Sequence, residues 1–194
     1  IAPEHSKKLA ANQLSLLLGG ITGATVYELR RELEITLCKE SAEQGRDPEF
    51  SLPDLGARMY QITATLYGQS GLLRNERDFV DCFCGIEIAV EKLVQRPYLE
   101  MLELLKWLRQ QSISICLVSD FYIPQNFFEP MLAHHGFAEL ISEIFISADY
   151  GASKGSGKLY SEVCQRLRCR PGDLWMVGDN SHADKIMAER AGIT

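Results

Sequence analysis

The sequence predicts an α/β fold in which an all-helical first half, residues 1–96, precedes a parallel sheet with crossover helices, residues 97–194. Up to Arg96, apolar residues recur only at helical spacing. From Pro97 onward, short apolar runs alternate with helical patterns over short connections. Such alternation is typical of parallel strands joined by helices that cover the sheet.

The first half contains four predicted helices, and the signals at several of their ends are clear. Gly19 and Gly20 end the first helix. Ser51-Leu-Pro-Asp54 has the spacing of a capping box and begins the third. The polar stretch at residues 40–50, which contains a glycine and a proline, predicts a loop. The predicted helices cover residues 3–18, 26–38, 51–67 and 75–95.

The fourth predicted helix carries two carboxylates away from its apolar face. Its apolar residues recur every three or four positions, so one side of the helix faces a core. Glu87 and Glu91 lie one turn apart on another side. We predict that these two residues form a solvent-facing charged surface, and the alternative is a pair that faces the substrate.

In the second half, helices and strands alternate. Pro97 opens a helix whose four leucines, Leu99, Leu102, Leu105 and Leu108, are predicted to face inward. The stretch at residues 113–118 is nearly all apolar, as expected for a strand covered on both faces. Strands are predicted at residues 113–118, 144–147 and 174–177, and helices at 97–111, 124–135, 157–168 and 181–191.

Composition excludes several classes of partner. A net charge of −6 and a pI near 5.3 argue against nucleic acid, whose phosphates select basic surfaces. No apolar run reaches the roughly 18 residues of a membrane span, and the amino end does not resemble a signal peptide. Of the six cysteines, Cys116 falls in an apolar strand-like run and Cys82 and Cys164 fall in helical patterns, so we expect a reduced, cytoplasmic protein. Cys82 and Cys84 lack the second pair that a zinc site needs.

Polar residues follow each predicted strand, at the sheet edge where open α/β folds bind ligands. Ser119 follows the first strand, and its hydroxyl can bind a phosphoryl oxygen or begin a turn. Lys154 and Lys158 lie among glycines before a helix, an arrangement that suits an anion. Asp179 and Asp184 follow the third strand and offer the oxygen ligands that Mg²⁺ prefers. Together these residues predict a phosphoryl-handling site.

Three segments resemble the second, third and fourth motifs of the haloacid dehalogenase-like (HAD) superfamily. They are Val118-Ser119-Asp120, Lys154-Gly-Ser-Gly-Lys-Leu-Tyr160 and the stretch from Gly178-Asp179-Asn180 to Asp184. A bacterial subgroup of predicted HAD hydrolases is especially similar, because its members read Ser-Asp-Met-Tyr-Leu-Pro where this chain reads Ser119-Asp-Phe-Tyr-Ile-Pro124. The resemblance implies a Rossmann-like (Rossmannoid) parallel core at residues 97–194, with three strands in this chain, and a helical cap at residues 1–96.

The resemblance also implies a role for each candidate residue. Ser119 would hydrogen-bond the transferring phosphoryl group. Lys154 would neutralise the charge on the nucleophile and the phosphoryl oxygens, and Lys158 is the alternative for that role. Asp179 would bind Mg²⁺, and Asp184 would be a second ligand or would orient a metal-bound water. Preorganised charge of this kind is the main catalytic device in phosphoryl transfer.

One part of the family pattern is absent from the sequence. HAD hydrolases carry Asp-x-Asp on the first core strand, and no two aspartates here are two residues apart. The resemblance places that strand between the strands of Ser119 and Asp179, and it places a further strand after the last helix. We therefore expect the 194 residues to be a piece of a larger polypeptide that lacks the first and last core strands and is inactive by itself.

The expected function is Mg²⁺-dependent hydrolysis of a small phosphomonoester through an aspartyl-phosphate, with the nucleophile on a segment outside this sequence. The acidic pair after the third strand favours phosphatase over dehalogenase chemistry, because dehalogenation needs no metal. One alternative is a non-catalytic binding or scaffold module of a larger polypeptide, linked to a sugar-transferring enzyme. Another is a receiver- or flavodoxin-like α/β domain without hydrolytic activity.

Overall fold

The computed structural model describes residues 3–68 and 71–194. Residues 1, 2, 69 and 70, which belong to the predicted helical half, lie outside that description. The helices of the first half are α1 Pro3–Leu18, α2 Gly23–Glu43, α3 Leu52–Tyr67 and α4 Glu76–Val94, with a 3-10 turn at Gly71–Arg74. The second half contains α5 Leu99–Gln110, β1 Cys116–Ser119, α6 Gln125–His134, β2 Glu143–Ile146, α7 Ser147–Tyr150, α8 Lys158–Leu167 and α9 Met187–Arg190. A π-turn, Ser181–Ile186, leads into α9.

The predicted helices of the first half are present, and side chains cap three of them. Thr22, Ser51 and Asn75 each accept a hydrogen bond from a backbone N–H in the first turn of α2, α3 and α4. The predicted loop at residues 40–50 is partly wrong, because α2 continues to Glu43. Within the described residues, no single helix is long and apolar enough to cross a membrane; only α1 and α2 taken together pass on length and composition, and a 118° bend separates them.

One large hydrophobic core joins the first half of the chain to the beginning of the second. The α1 helix packs on α2 and α4, and α3 packs on α4. Ile123 and Met131, from the loop after β1 and from α6, are buried in the same cluster. The boundary near residue 96 therefore stays a prediction, since the apolar packing runs across it.

The sheet has two strands among the described residues, not the predicted three. β1 and β2 pair in parallel, with Cys116 opposite Glu143 and Ser119 opposite Ile146. The predicted strand at residues 174–177 is wrong as a sheet member. Its backbone bonds to Thr194 at one end, through Met176 N to Thr194 O (2.8 Å) and Thr194 N to Leu174 O (3.2 Å).

The absence of a neighbour explains this difference. A β-strand is defined by its ladder of hydrogen bonds, and no described strand pairs with residues 174–177 to supply them. Trp175 is consequently 84% exposed, and Val177 is also exposed. The α5 helix is also incompletely buried. Leu99 is exposed, and the other three leucines that were predicted to face inward are only partly buried.

The prediction for Glu87 and Glu91 is also wrong, because both carboxylates are buried. Arg30 of α2 is buried beside them and donates to Glu87 Oε1 and, at 2.7 Å, to Glu34 Oε1. The Tyr122 hydroxyl lies 3.3 Å from Glu87 Oε2 and from Glu91 Oε1. Burial alone would lower the pKa of Arg30, but Glu87, Tyr122 and Glu34 raise it, so the guanidinium stays charged.

This buried ion pair gives a stability prediction. Glu87→Gln should lower the free energy of unfolding by about 3 kcal/mol, because it leaves the Arg30 charge buried with one carboxylate fewer. Asp81→Asn is the matched control on the same helix, since Asp81 pairs with Arg77 at the surface and should contribute less than about 1 kcal/mol. Urea denaturation measures both, and equal effects would contradict the structural role of the buried pair.

Candidate functional site

The site begins where β1 ends. Ser119 is the last residue of β1 and is partly buried, and Asp120 follows it. The Asp120 carboxylate accepts hydrogen bonds from the backbone of the next strand's loop, from Lys154 N (2.7 Å) and Gly155 N (3.3 Å). The segment after β1 therefore holds the lysine loop by its main chain, as parallel strand ends at one sheet edge allow.

Two of the predicted site residues meet directly. Lys154 Nζ lies 2.5 Å from Asp184 Oδ1, although the two residues are 30 positions apart. Their side chains are 12% and 6% exposed, so the ion pair is largely removed from water. A pair in this setting interacts more strongly than a surface pair, and either charge alone would be costly.

The chain around Asp184 is shaped to hold its carboxylate. Asn180 N donates to Asp184 Oδ2 at 3.1 Å. The Asn180 side chain accepts hydrogen bonds from His182 N and Ala183 N, both at 3.0 Å, and thus begins the π-turn. Gly178 is required at its position, because a Cβ atom there would meet Asp184 Oδ2 at 2.2 Å. The Tyr160 hydroxyl adds a bond to Ala183 O, at 2.8 Å.

Asp179 is exposed and directly follows Gly178, against which the Asp184 carboxylate lies. In the described part of the chain, no group of three or more His, Cys, Asp or Glu residues is placed to hold a metal ion. Mg²⁺ is commonly held by one or two carboxylates, with water and substrate phosphate as the other ligands. Asp179 and Asp184 are carboxylates of the kind that such a site uses, and other oxygen ligands would have to complete it.

Lys158, the alternative to Lys154, pairs with a different carboxylate and not with Asp184. Its Nζ bonds to Asp47 Oδ1 at 2.7 Å. Asp47 belongs to the loop between α2 and α3, and its carboxylate also accepts from Ser153 and Ser156. Burial alone would raise the pKa of Asp47, but the hydrogen bonds from Lys158, Ser156 and Ser153 lower it to about 2.

A second carboxylate of the same loop was not a candidate from the sequence. Glu49 Oε2 accepts from Ser147 Oγ at 2.8 Å, and Ser147 in turn accepts from Phe121 N at 3.0 Å. Burial raises the pKa of Glu49 to about 7, the charges of Asp120 and Asp47 add to the rise, and the Ser147 hydrogen bond opposes it. Asp47 and Glu49 occur in a polar stretch without a motif, so only their distant partners reveal them.

A family model for haloacid dehalogenase-like hydrolases matches residues 17–192, which is most of the chain. The chain belongs to this hydrolase family. The HAD resemblance and the α/β HAD fold with a helical cap are therefore confirmed, although the described sheet has two strands. No curated protein matches the sequence significantly.

Solved structures show the same fold at low sequence identity. A 2-haloacid dehalogenase from Pseudomonas syringae pv. Tomato DC3000 has a TM-score of 0.70 and 19% identity, covering 99% of this chain and 77% of that chain. A predicted phosphoglycolate phosphatase from Haemophilus somnus 129PT has a TM-score of 0.56 and 18% identity, with 98% and 76% covered. A Bacillus subtilis protein described as a HAD-hydrolase bound to magnesium has a TM-score of 0.57 and 15% identity, with 98% and 80% covered.

The close approach at Gly178 gives a prediction for the HAD site. Gly178→Ala should lower the free energy of unfolding by about 1–3 kcal/mol, because the new methyl group must displace the Asp184 carboxylate. Gly172→Ala is the control, since a Cβ there meets nothing within 4 Å. Urea denaturation of the two variants makes the comparison, and an unaffected Gly178→Ala protein would contradict the described packing.

The partly buried carboxyl of Glu49 gives a pH prediction. Its pKa is raised from 4.5 to about 7, so the folded protein keeps a proton that the unfolded chain releases. Stability should therefore fall as the pH rises from about 4.5 to about 7. Glu49→Gln removes this contribution and retains an acceptor for Ser147, so the variant should gain stability relative to the parent across this window.

Urea denaturation at several pH values measures this difference. Glu139→Gln, made at an exposed carboxylate, controls for the loss of one negative charge. Parallel stability curves for the parent protein and Glu49→Gln would contradict the raised pKa assigned to Glu49.

Proposed function

We propose that this chain forms the cap and most of the phosphoryl-binding core of a Mg²⁺-dependent phosphohydrolase that acts on a small phosphomonoester. The observation that carries the proposal is the enclosed Lys154–Asp184 ion pair at the sheet edge where β1 ends in Ser119. The chain belongs to the HAD-like hydrolase family, and phosphatases are among the solved structures with this fold.

Lys154 would supply the positive charge that phosphoryl transfer needs. The transition state spreads negative charge over the phosphoryl oxygens, so a fixed cation stabilises it without reorganising during the reaction. Asp184 fixes the amine, and Asp120 fixes the backbone of the same residue. Ser119 would donate its hydroxyl hydrogen to another phosphoryl oxygen from the end of β1.

Asp179 and Asp184 would hold the Mg²⁺ ion. When bound, the ion would neutralise phosphoryl charge and orient the substrate. Asp184 Oδ1 pairs with Lys154 and Oδ2 accepts from Asn180 N, so Asp184 would bind the ion through a lone pair that these contacts leave free. A similar fold described as bound to magnesium supports this proposal.

The nucleophile would come from a segment outside these 194 residues. The family's first motif is absent from the sequence, and β1 pairs with only one strand in the described ranges. A strand ending in Asp-x-Asp would fit between β1 and residues 174–177. Its first carboxylate would attack the phosphorus while its second aspartate, as the acid, protonates the leaving oxygen of the substrate. Water would then give a proton back to the second aspartate, cleave the aspartyl-phosphate and release inorganic phosphate.

The same proposal specifies the substrate, the role of the helical half and the cellular location. The substrate would be a small phosphorylated molecule, and the helical first half would cover the site and exclude water. The six cysteines are free thiols, which accords with the proposed cytoplasmic location.

A non-catalytic HAD-like module is the second candidate function, and the absent Asp-x-Asp favours it. Such a module would keep the Lys154–Asp184 pair for structure or for binding an anion. It would belong to a larger polypeptide and be linked there to a sugar-transferring enzyme.

Hydrolysis of p-nitrophenyl phosphate tests the proposal. The 194-residue chain should be inactive, whereas a polypeptide that adds an Asp-x-Asp strand should turn over substrate only with Mg²⁺. In that polypeptide, Asp179→Asn should lower the rate by about 100-fold or more without unfolding the protein, because the charge near the phosphoryl group is lost.

The control is Asp173→Asn, which removes an exposed carboxylate paired with Arg170. Metal-dependent turnover by the 194 residues alone would overturn the account of the nucleophile. Unchanged turnover in Asp179→Asn would remove Asp179 from the metal site, and an inactive extended polypeptide would favour the non-catalytic module.

A further inference from the structure

We propose that Asp47 is a positioning residue: from the loop between α2 and α3 it fixes residues 151–158 and thereby holds Lys154 against Asp184. The inference rests on the proposed function only for the role of Lys154 toward a phosphoryl group. The positioning itself is a property of the chain, and it can be measured without turnover.

Four hydrogen bonds reach the Asp47 carboxylate from one short segment. Oδ2 accepts from Ser153 N at 2.8 Å, from Ser153 Oγ at 3.0 Å and from Ser156 Oγ. Oδ1 accepts from Lys158 Nζ at 2.7 Å. The donors precede and follow Lys154, so the carboxylate bridges the loop that carries the lysine.

The backbone of Asp47 is hydrogen-bonded through both its N–H and its carbonyl oxygen. Its N–H donates to Gly151 O at 3.0 Å, which ties it to the start of the lysine loop. Its carbonyl accepts from Ser41 Oγ at 2.7 Å, and Ser41 is buried near the end of α2. The carboxylate is therefore presented by fixed backbone and is not the free end of a mobile loop.

The lysine loop needs such an anchor because of its composition. Gly155 and Gly157 give it wide conformational freedom, and Gly157 adopts a positive φ of 82°. Asp120 fixes the backbone at Lys154 from the β1 side, and Asp47 fixes the residues around it from the helical side. With both anchors in place, the Lys154 amine reaches Asp184.

Asp47 also separates the roles of the two lysines. It binds the Lys158 amine, which is thereby kept on the side of the α2–α3 loop. Lys154 remains the cation that pairs with Asp184. Two residues of the same type in one loop thus have different fixed partners.

The test measures loop mobility and lysine reactivity in the 194-residue chain. Hydrogen exchange reports on the amides of residues 151–157, and acylation by acetic anhydride reports on Lys154, with exposed Lys185 as the internal reference. Asp47→Asn should speed both about tenfold, since it removes charge-assisted hydrogen bonds. Exchange in the later turns of α8 should change much less, and Asp173→Asn should change neither readout.

A milder variant covers the case in which Asp47→Asn does not fold. Ser153→Ala combined with Ser156→Ala leaves the Asp47–Lys158 pair intact and removes the other side-chain donors. It should speed exchange and acylation at the same places, by roughly threefold.

Selective loosening of residues 151–157 with faster Lys154 acylation supports the proposal. Unchanged values, or a uniform rise across all helices, would overturn it, because a merely structural role predicts uniform change. An inactive extended polypeptide with selective loosening would remove the proposed function and leave the positioning role of Asp47 in place.

Discussion

The arrangement of the site depends on keeping one buried ammonium group paired. Lys154 is largely removed from water, so its charge requires the Asp184 carboxylate within hydrogen-bonding distance. That requirement explains the neighbouring sequence, because Gly178 leaves room for the carboxylate and Asn180 begins the turn that carries it. Asp120 and Asp47 in addition hold the backbone of the glycine-rich loop at residues 151–158 in one conformation.

Much of the fold could be predicted from the sequence because its signals are local. Helical spacing of apolar residues identified the four long helices, and Ser51 caps α3 as predicted. Polar residues after strand-like runs identified Lys154 and Asp184, which the structure brings together. These patterns depend on neighbours a few residues away, where side-chain periodicity and turn chemistry act.

The features that could not be predicted depend on contacts with residues that are distant in the sequence. The residues at 174–177 have the composition of a strand, but a strand also needs a neighbour with which to pair. Glu87 resembled a surface residue because its partner Arg30 lies 57 positions away. The sequence does not reveal Asp47 and Glu49 for the same reason: Asp47 contacts residues 151–158, which lie 104 to 111 positions later, and Glu49 contacts Ser147, 98 positions later.

The π-turn at Ser181–Ile186 has a consequence for how this family member can vary. Met187 N bonds to His182 O, five residues back, so the turn is one residue wider than an α-helical turn. Deleting a residue there would restore α-helical geometry and rotate α9 by about 100° relative to Asp184. Evolutionary change at this point should therefore proceed by exchange of side chains at constant length.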